Sequence, residues 1–318
     1  MPEFAPIALF TYNRPVHTRQ TLEALSKNEL AGESILYVFS DGPKNGASND
    51  ELRKISEVRN IIKEKRNFKE IIIIESETNK GLATSVINGV TEVVSKHQKV
   101  IVLEDDLITA KGFLKFMNEG LERYVADENV FQVSGQCFNA DIPARNGCFF
   151  MPMVTSIGWA TWKRAWEKFD PNARGYEVMK TDKALEQKFN LDGAYPYAQM
   201  LYKQMETSEI DSWAIRWWWS VFNHNGISLY ADKSLVYNIG FDAEGTHSKD
   251  TKGYSFYNSP LFDKDYFIFN FPDKISINEE FFLKIKSYIY KSLAKNKVVE
   301  NASISSIFAK FLKVFLNR

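Results

Sequence analysis

Short apolar runs, each ending at a polar turn, organise the first third of the chain. Ala5–Thr11 leads into Tyr12-Asn13-Arg14-Pro15, and Ile35–Phe39 stops at Ser40-Asp41-Gly42-Pro43. Ile71–Ile74 precedes Asn79-Lys80-Gly81, and Val100–Leu103 closes on Glu104-Asp105-Asp106. Apolar runs of this length predict strands, and the unbroken β-branched run Ile71–Ile74 predicts one covered on both faces. Between them, Thr18–Leu25 with Leu22 and Leu25 on one face, a basic stretch from Asp50 to Lys65, and Ala83–Val94 have helical spacing. The alternation predicts an α/β fold with a mixed, mostly parallel sheet flanked by helices. Sheets of this kind bind ligands beyond the carboxyl ends of their strands. Asn13-Arg14, Asp41-Gly42, Asn79-Lys80-Gly81 and the acidic triplet all fall at such ends.

Beyond Ile108 the pattern predicts an amphipathic helix with Phe113, Phe116 and Leu121 inward, then a less regular, Trp-rich half. The chain changes character near Asn278: residues 281–318 hold Lys284, Lys286, Lys291, Lys295, Lys297, Lys310, Lys313 and Arg318 against the single acid Glu300. Ile304, Ile307, Phe308, Phe311, Leu312 and Phe315 recur at three- and four-residue spacing. We therefore expect a catalytic domain over 1–277, with a donor half of about 1–110 and an acceptor half of about 111–277. A basic amphipathic helical tail over 278–318 is expected to follow, lying on an anionic membrane surface or docking on protein.

Composition narrows the chemistry. The 318 residues are 44% hydrophobic and 25% charged, as in a folded globular protein. Forty basic residues balance forty acidic ones, so no overall field draws nucleic acid, and no nucleic-acid partner is expected. Cys137 and Cys148 match no metal-ligand spacing and read as free thiols in a reducing compartment. With no signal-like N-terminus and no apolar run long enough to span a bilayer, a cytoplasmic protein is expected, peripheral on the membrane if the tail binds there. There is no Gly-x-Gly-x-x-Gly and no Walker-type Gly-Lys-Ser/Thr, so phosphate charge must be met another way. Three successive acids after Val-Ile-Val-Leu repel one another and resist burial; a divalent cation relieves that conflict, and hard oxygen ligands favour Mn²⁺ or Mg²⁺. The alternative is a solvated strand end or a helix N-cap.

Taken in order, Phe10-Thr11-Tyr12-Asn13-Arg14-Pro15, Ser40-Asp41-Gly42, Asn79-Lys80-Gly81-Leu82 and Val102-Leu103-Glu104-Asp105-Asp106-Leu107 resemble GT-A-fold nucleotide-sugar glycosyltransferases. The look is that of the N-acetylglucosaminyltransferase I type and its bacterial relatives. Gly158-Trp159, Asp211-Ser212-Trp213-Ala214-Ile215-Arg216, Asn238-Ile239-Gly240-Phe241 and Gly245-Thr246-His247 continue the series over roughly residues 5–250. The resemblance implies Asp106 as metal ligand, with Glu104 and Asp105 facing the nucleotide. It implies Asp41 as reader of a uracil edge, Arg14 near the phosphates, and Lys80 and His247 near the donor. A UDP-sugar would be the donor, and the reaction would invert the anomeric centre. Asp211 is the expected general base, although the family's two adjacent acids are here Asp211-Ser212; Glu209 is the reserve, and Asp211 as a simple helix cap is the bland alternative. Trp159, Trp213 and Trp217 are the aromatics expected nearest a sugar, while at least one of Trp217, Trp218 and Trp219 must be core.

A glycan or lipid-linked saccharide acceptor in bacterial surface polysaccharide synthesis is expected by fold-level analogy. Two rivals stand beside this reading. A sugar-1-phosphate nucleotidyltransferase would want a glycine-rich basic loop where Tyr12-Asn13-Arg14-Pro15 stands. A non-catalytic carbohydrate-binding protein should have lost some of the acids.

Overall fold

Local signals set the element boundaries. The structure, a computed structural model, describes residues 3–143, 147–207, 209–240, 259–264 and 268–294. Strand β1 (Ile7–Thr11) hands over to helix α1 (Pro15–Ser26), whose Pro at the first position needs no N–H partner there. Strand β2 (Ile35–Ser40) precedes α2 (Asn49–Ile62), where the Ser48 hydroxyl accepts from the Glu51 N–H at 3.2 Å and Asp50 and Glu51 occupy the positive end of the helix. Strand β3 (Glu70–Glu75) precedes α3 (Leu82–His97), which starts after Gly81 at φ +78° and ends on Gln98 in the left-handed region. Strands β4 (Lys99–Glu104) and β5 (Leu107–Thr109) flank the acidic turn, and α4 (Phe113–Arg123) buries Phe113, Phe116 and Leu121 as their spacing predicts.

The second half is built from shorter pieces. Strands β6 (Val130–Ser134), β7 (Cys148–Met151) and β8 (Trp159–Trp162) are followed by the short helices α5 (Lys163–Trp166), α6 (Val178–Thr181), α7 (Lys183–Phe189) and α8 (Tyr197–Tyr202). A π-helical turn at Lys203–Thr207 leads towards α9 (Trp213–Asn223), then β9 (Ile227–Ala231) and β10 (Val236–Asn238). Helix α10 spans 279–294.

Eight strands form one mixed sheet in the order β3-β2-β1-β4-β8-β6-β9-β7, and six of them run in one direction. Helices cover both faces. Leu22 and Leu25 of α1, Val58, Ile61 and Ile62 of α2 and the inner face of α4 share one apolar layer. Helices α3 and α9 share the other with Phe282, Ile285 and Ile289 of α10. Helix α10 thus lies in the stretch expected to be a tail, yet it is packed into the body of the domain. The apolar stripe over 304–315 lies outside the described residues.

Strand β3 differs from its expectation in one respect. Ile72 and Ile74 face one layer and Ile71 and Ile73 the other, but all four stay partly exposed because β3 is an edge strand with a neighbour on one side only. No helix among the described residues is long and apolar enough to cross a membrane, and Cys137 and Cys148 are free thiols.

The tryptophans gather in the second layer. Trp159 stacks on Trp213 at 5.1 Å between ring centroids, and Trp217 lies 5.1 Å from Trp166. Trp217 is fully buried, and its indole N–H donates to Gln132 Oε1 at 2.9 Å. Trp218 and Trp219 are buried as well, so the whole Trp217–Trp219 run is core. Replacing Trp217 with Ala should cost about 3–5 kcal/mol of stability, through lost apolar burial and a cavity among rings that cannot collapse. Chemical denaturation monitored by fluorescence would measure it.

Candidate active site

The carboxyl ends of β1, β2 and β4 lie side by side because the three strands run parallel, with Phe10 in register with both Phe39 and Glu104. Strand β4 ends at Glu104, so Asp105 and Asp106 stand in the turn after it, and both approach Arg14 Nη1, at 4.0 and 2.8 Å. Glu104 lies on the α3–α9 side, half-buried and hydrogen-bonded to Trp213. Asp105 turns inward beneath α1: one oxygen accepts from the Tyr12 backbone N–H at 3.3 Å and from the Thr18 hydroxyl at 3.4 Å. Asp106 faces Arg14, whose Nη1 donates to its Oδ2 at 2.8 Å.

Burial and mutual repulsion dominate the titration of the first two acids. Loss of hydration and the neighbouring charges of Asp106 and Asp105 push Glu104 well above the ordinary carboxylate range. Asp105 is raised to about 7 by burial and by Asp106, with Arg14 opposing the shift.

A lid of backbone closes over Asp106. Strands β5 and β10 pair antiparallel, with Asn238 opposite Leu107. That pairing brings the Ile239 N–H to the Asp106 carbonyl at 2.8 Å and the Asn238 amide to Asp106 Oδ1 at 3.4 Å. Arg14 Nη2 donates to the Gly240 carbonyl at 3.2 Å. A Cβ at position 240 would sit 2.0 Å from Asp106 Oδ2, so only glycine fits this approach.

Asp41, at the end of β2, is almost fully occupied. Its Oδ1 accepts from the Gly42 and Lys80 backbone N–H groups, both at 2.9 Å, and its Oδ2 accepts from the Asn79 amide at 3.0 Å and the Gly81 N–H at 3.1 Å. This carboxylate ties the β3–α3 loop to β2, and a uracil imide N–H would have to replace one of these donors, the Asn79 side chain being the one not fixed in backbone. Lys80, held at this turn through its backbone, extends an exposed ammonium with no ion-pair partner among the described residues.

Asp211 reaches the same rim from the second half. Its Oδ2 lies next to Gly81, 3.6 Å from where a Cβ there would stand, so the start of α3 and the start of α9 meet. The cap of α9 is Ser212, whose hydroxyl accepts from the Ile215 N–H at 3.3 Å; Asp211 is thereby released from the capping role. Arg216 Nη2 donates to Asp211 Oδ1 at 3.2 Å.

One expectation is corrected by these positions. Trp159 is fully buried against Trp213, and Trp213 and Trp217 are core as well, so none of the three offers a face to a sugar. Asp105 is buried and engaged beneath α1. Glu209 pairs with Lys203 at 3.1 Å on the exposed side of the π-turn. His247 lies outside the described residues. Sequence reading assigned no role to Arg216, Asn238 or Gly240; the signal for Arg216 was its place one helical turn after the cap Ser212, within reach of Asp211.

Among the described residues no three His, Cys, Asp or Glu side chains converge as a metal cage. Asp106 is a hard carboxylate at the turn, and its two oxygens accept from Arg14 and from Asn238.

No known family profile matches the chain, and no curated protein matches its sequence. Among solved structures, a 1–349 fragment of S. aureus TarS is similar at 13% identity, over 74% of this chain and 61% of that one, with a TM-score of 0.39. The chain spans 21% of a longer TarS chain that it also matches. The mannosyltransferase PcManGT from Pyrobaculum calidifontis, in complex with GDP-Man and Mn²⁺, is similar at 12% identity over 70% of this chain and 75% of that one, with a TM-score of 0.34. The galactosyltransferase LgtC, in complex with donor and acceptor sugar analogues, is similar at 10% identity over 56% and 65%, also with a TM-score of 0.34. Likeness this distant says nothing of activity, substrate or residue roles.

The Asp41 staple has a direct check. Asp41→Ala strands three backbone N–H groups and should destabilise the protein by about 2 kcal/mol. Amide hydrogen exchange should show protection lost first at Lys80 and Gly81.

Proposed function

We propose that the chain is a glycosyltransferase that moves a hexose or N-acetylhexosamine from a UDP-sugar to a hydroxyl of a glycan or lipid-linked saccharide. The observation that carries this reading is the meeting of a cation pair-site, Arg14–Asp106, with an exposed and separately anchored carboxylate, Asp211, on one rim beyond the parallel strands. Leaving-group stabilisation and proton removal are the two demands of sugar transfer, and each has a group suited to it.

Asp106 would hold Mn²⁺ or Mg²⁺ together with the diphosphate; the ion, when bound, acts as a Lewis acid on the leaving phosphate oxygen. Arg14, already lying across Asp106, donates to phosphate oxygens with a planar fork suited to them. Lys80 adds an exposed ammonium at the same rim. Glu104 stays beside the site through Trp213 and faces the donor from the α9 side. Asp211 accepts the proton of the acceptor hydroxyl as its oxygen bonds to the anomeric carbon, while the bond to phosphate breaks with its electron pair on the UDP oxygen. Displacement from the face opposite UDP inverts the anomeric centre.

The apolar stripe over 304–315, with Lys310, Lys313 and Arg318 off it, is proposed to bring the enzyme to an anionic membrane surface, where a lipid-linked acceptor would be found.

Release of UDP from a panel of UDP-sugars with Mn²⁺ tests the reading, and it fails if no sugar nucleotide binds in the presence of metal. A nucleotidyltransferase would instead require a sugar 1-phosphate and UTP, and a binding protein would bind without turnover. Asp106→Ala should abolish metal-dependent donor binding and turnover together. Asp211→Asn should leave UDP affinity nearly intact and lower turnover by about a hundredfold or more; calorimetry and UDP-release kinetics would separate the two effects.

A further inference from the structure

The general base proposed above is an exposed side chain, and an exposed aspartate samples several rotamers unless something fixes it. Asp211 is 62% exposed, whereas the Arg216 side chain that meets it is only 13% exposed. Arg216 uses two arms of its guanidinium. Its Nε donates to the Ser212 carbonyl at 3.0 Å, and its Nη2 donates to Asp211 Oδ1 at 3.2 Å. The same short segment is fastened from the other side, where the Ser212 N–H donates to Gln204 Oε1 at 2.5 Å. The backbone of Ser212 is thus held by Gln204 and Arg216, and the Asp211 carboxylate hangs from the second arm of the guanidinium. Asp211 Oδ2, the oxygen next to Gly81, receives no hydrogen bond from any described residue.

We propose that Arg216 is the positioning residue of the site: its planar fork spans the Ser212 carbonyl and Asp211 Oδ1, so that Oδ2 alone is presented to the acceptor hydroxyl. This rests on the transferase reading and on Asp211 as the base. A guanidinium performs the task because its donors leave one rigid plane in fixed directions; an ammonium is a single point and cannot hold the carbonyl and the carboxylate in one geometry. Burial of the aliphatic stem and of part of the head fixes the fork itself. That burial is visible in the lowered proton affinity of Arg216, caused first by lost hydration and opposed by Asp211.

The test is a double-mutant cycle on the full chain, with water as acceptor. UDP release from UDP-glucose and from UDP-N-acetylglucosamine with Mn²⁺ gives turnover, and calorimetry with UDP and Mn²⁺ gives affinity. R216Q should lower turnover by about tenfold or more, while UDP affinity changes by less than about twofold. D211N/R216Q should be no slower than D211N alone, since the arginine acts only through the carboxylate. R216K should stay within about threefold of R216Q.

Multiplicative losses in the double variant, an equal loss of UDP affinity in R216Q, or restoration of turnover by R216K would overturn the proposal. Should R216Q fail to fold, R216K and D211N/R216K carry the same comparison. Wild-type turnover in D211N would instead refute the base assignment, and absence of UDP release from the wild-type chain would refute the transferase reading; either outcome removes this proposal with it.

Discussion

Electrostatic repulsion among three consecutive carboxylates is the constraint around which the site is arranged. Glu104, the last residue of β4, and Asp105, in the turn after it, each find hydrogen-bond donors of their own. Asp106, at the turn, meets the guanidinium of Arg14. Neither solution is complete, since Glu104 and Asp105 both hold their protons far more tightly than ordinary carboxylic acids do. A strand end that keeps such residual repulsion is poised to take up positive charge, and the parallel strands deliver that end to the rim where a ligand would lie.

The rim is held together by side chains that serve the backbone. Asp41 gathers the N–H groups of the β3–α3 loop, Ser212 caps α9, and Thr21 accepts from the Leu107 N–H at 3.1 Å while donating to the Asp105 carbonyl at 2.8 Å. These are polar groups in semi-buried positions whose loss would strand partners away from water. Rigid loops around an unbalanced charge are the physical content of preorganisation, and they let ligand binding proceed without first ordering the protein.

Much of this was legible in the sequence, and the parts that were not share a cause. The parallel strands, the helices between them and the placing of Arg14, Asp41, Lys80 and the triplet at strand ends follow from apolar runs and the turns that stop them. The individual fate of each acid does not: adjacency along the chain suggested a shared task, whereas Asp105 turns beneath α1 to meet Thr18, a partner set by tertiary packing. The tryptophans misled in a similar way, because an aromatic ring serves a sugar and a core equally well, and only the packing of α9 on α3 and β8 decides between them. Gly240 and Asn238 reach Asp106 through the pairing of β10 with β5, a long-range event that local pattern cannot announce. Arg216 was within sight on its helix, but its worth depends on which residue caps that helix.

Helix α10 gives the fold a property of timing. Its Phe281 stands edge-on to Phe149 of the far strand β7, and the segment before it forms bridges from Asn270 to Gly147 and from Ile277 to Phe150, covering the open edge of that strand. Partners so distant along the chain cannot meet until residues 270–281 have been made, and closing such a loop is entropically slow. Until then β7 offers bare N–H and C=O groups and one apolar layer lacks its cover, so a partly made or shortened chain is prone to pair with its own copies before it can mature.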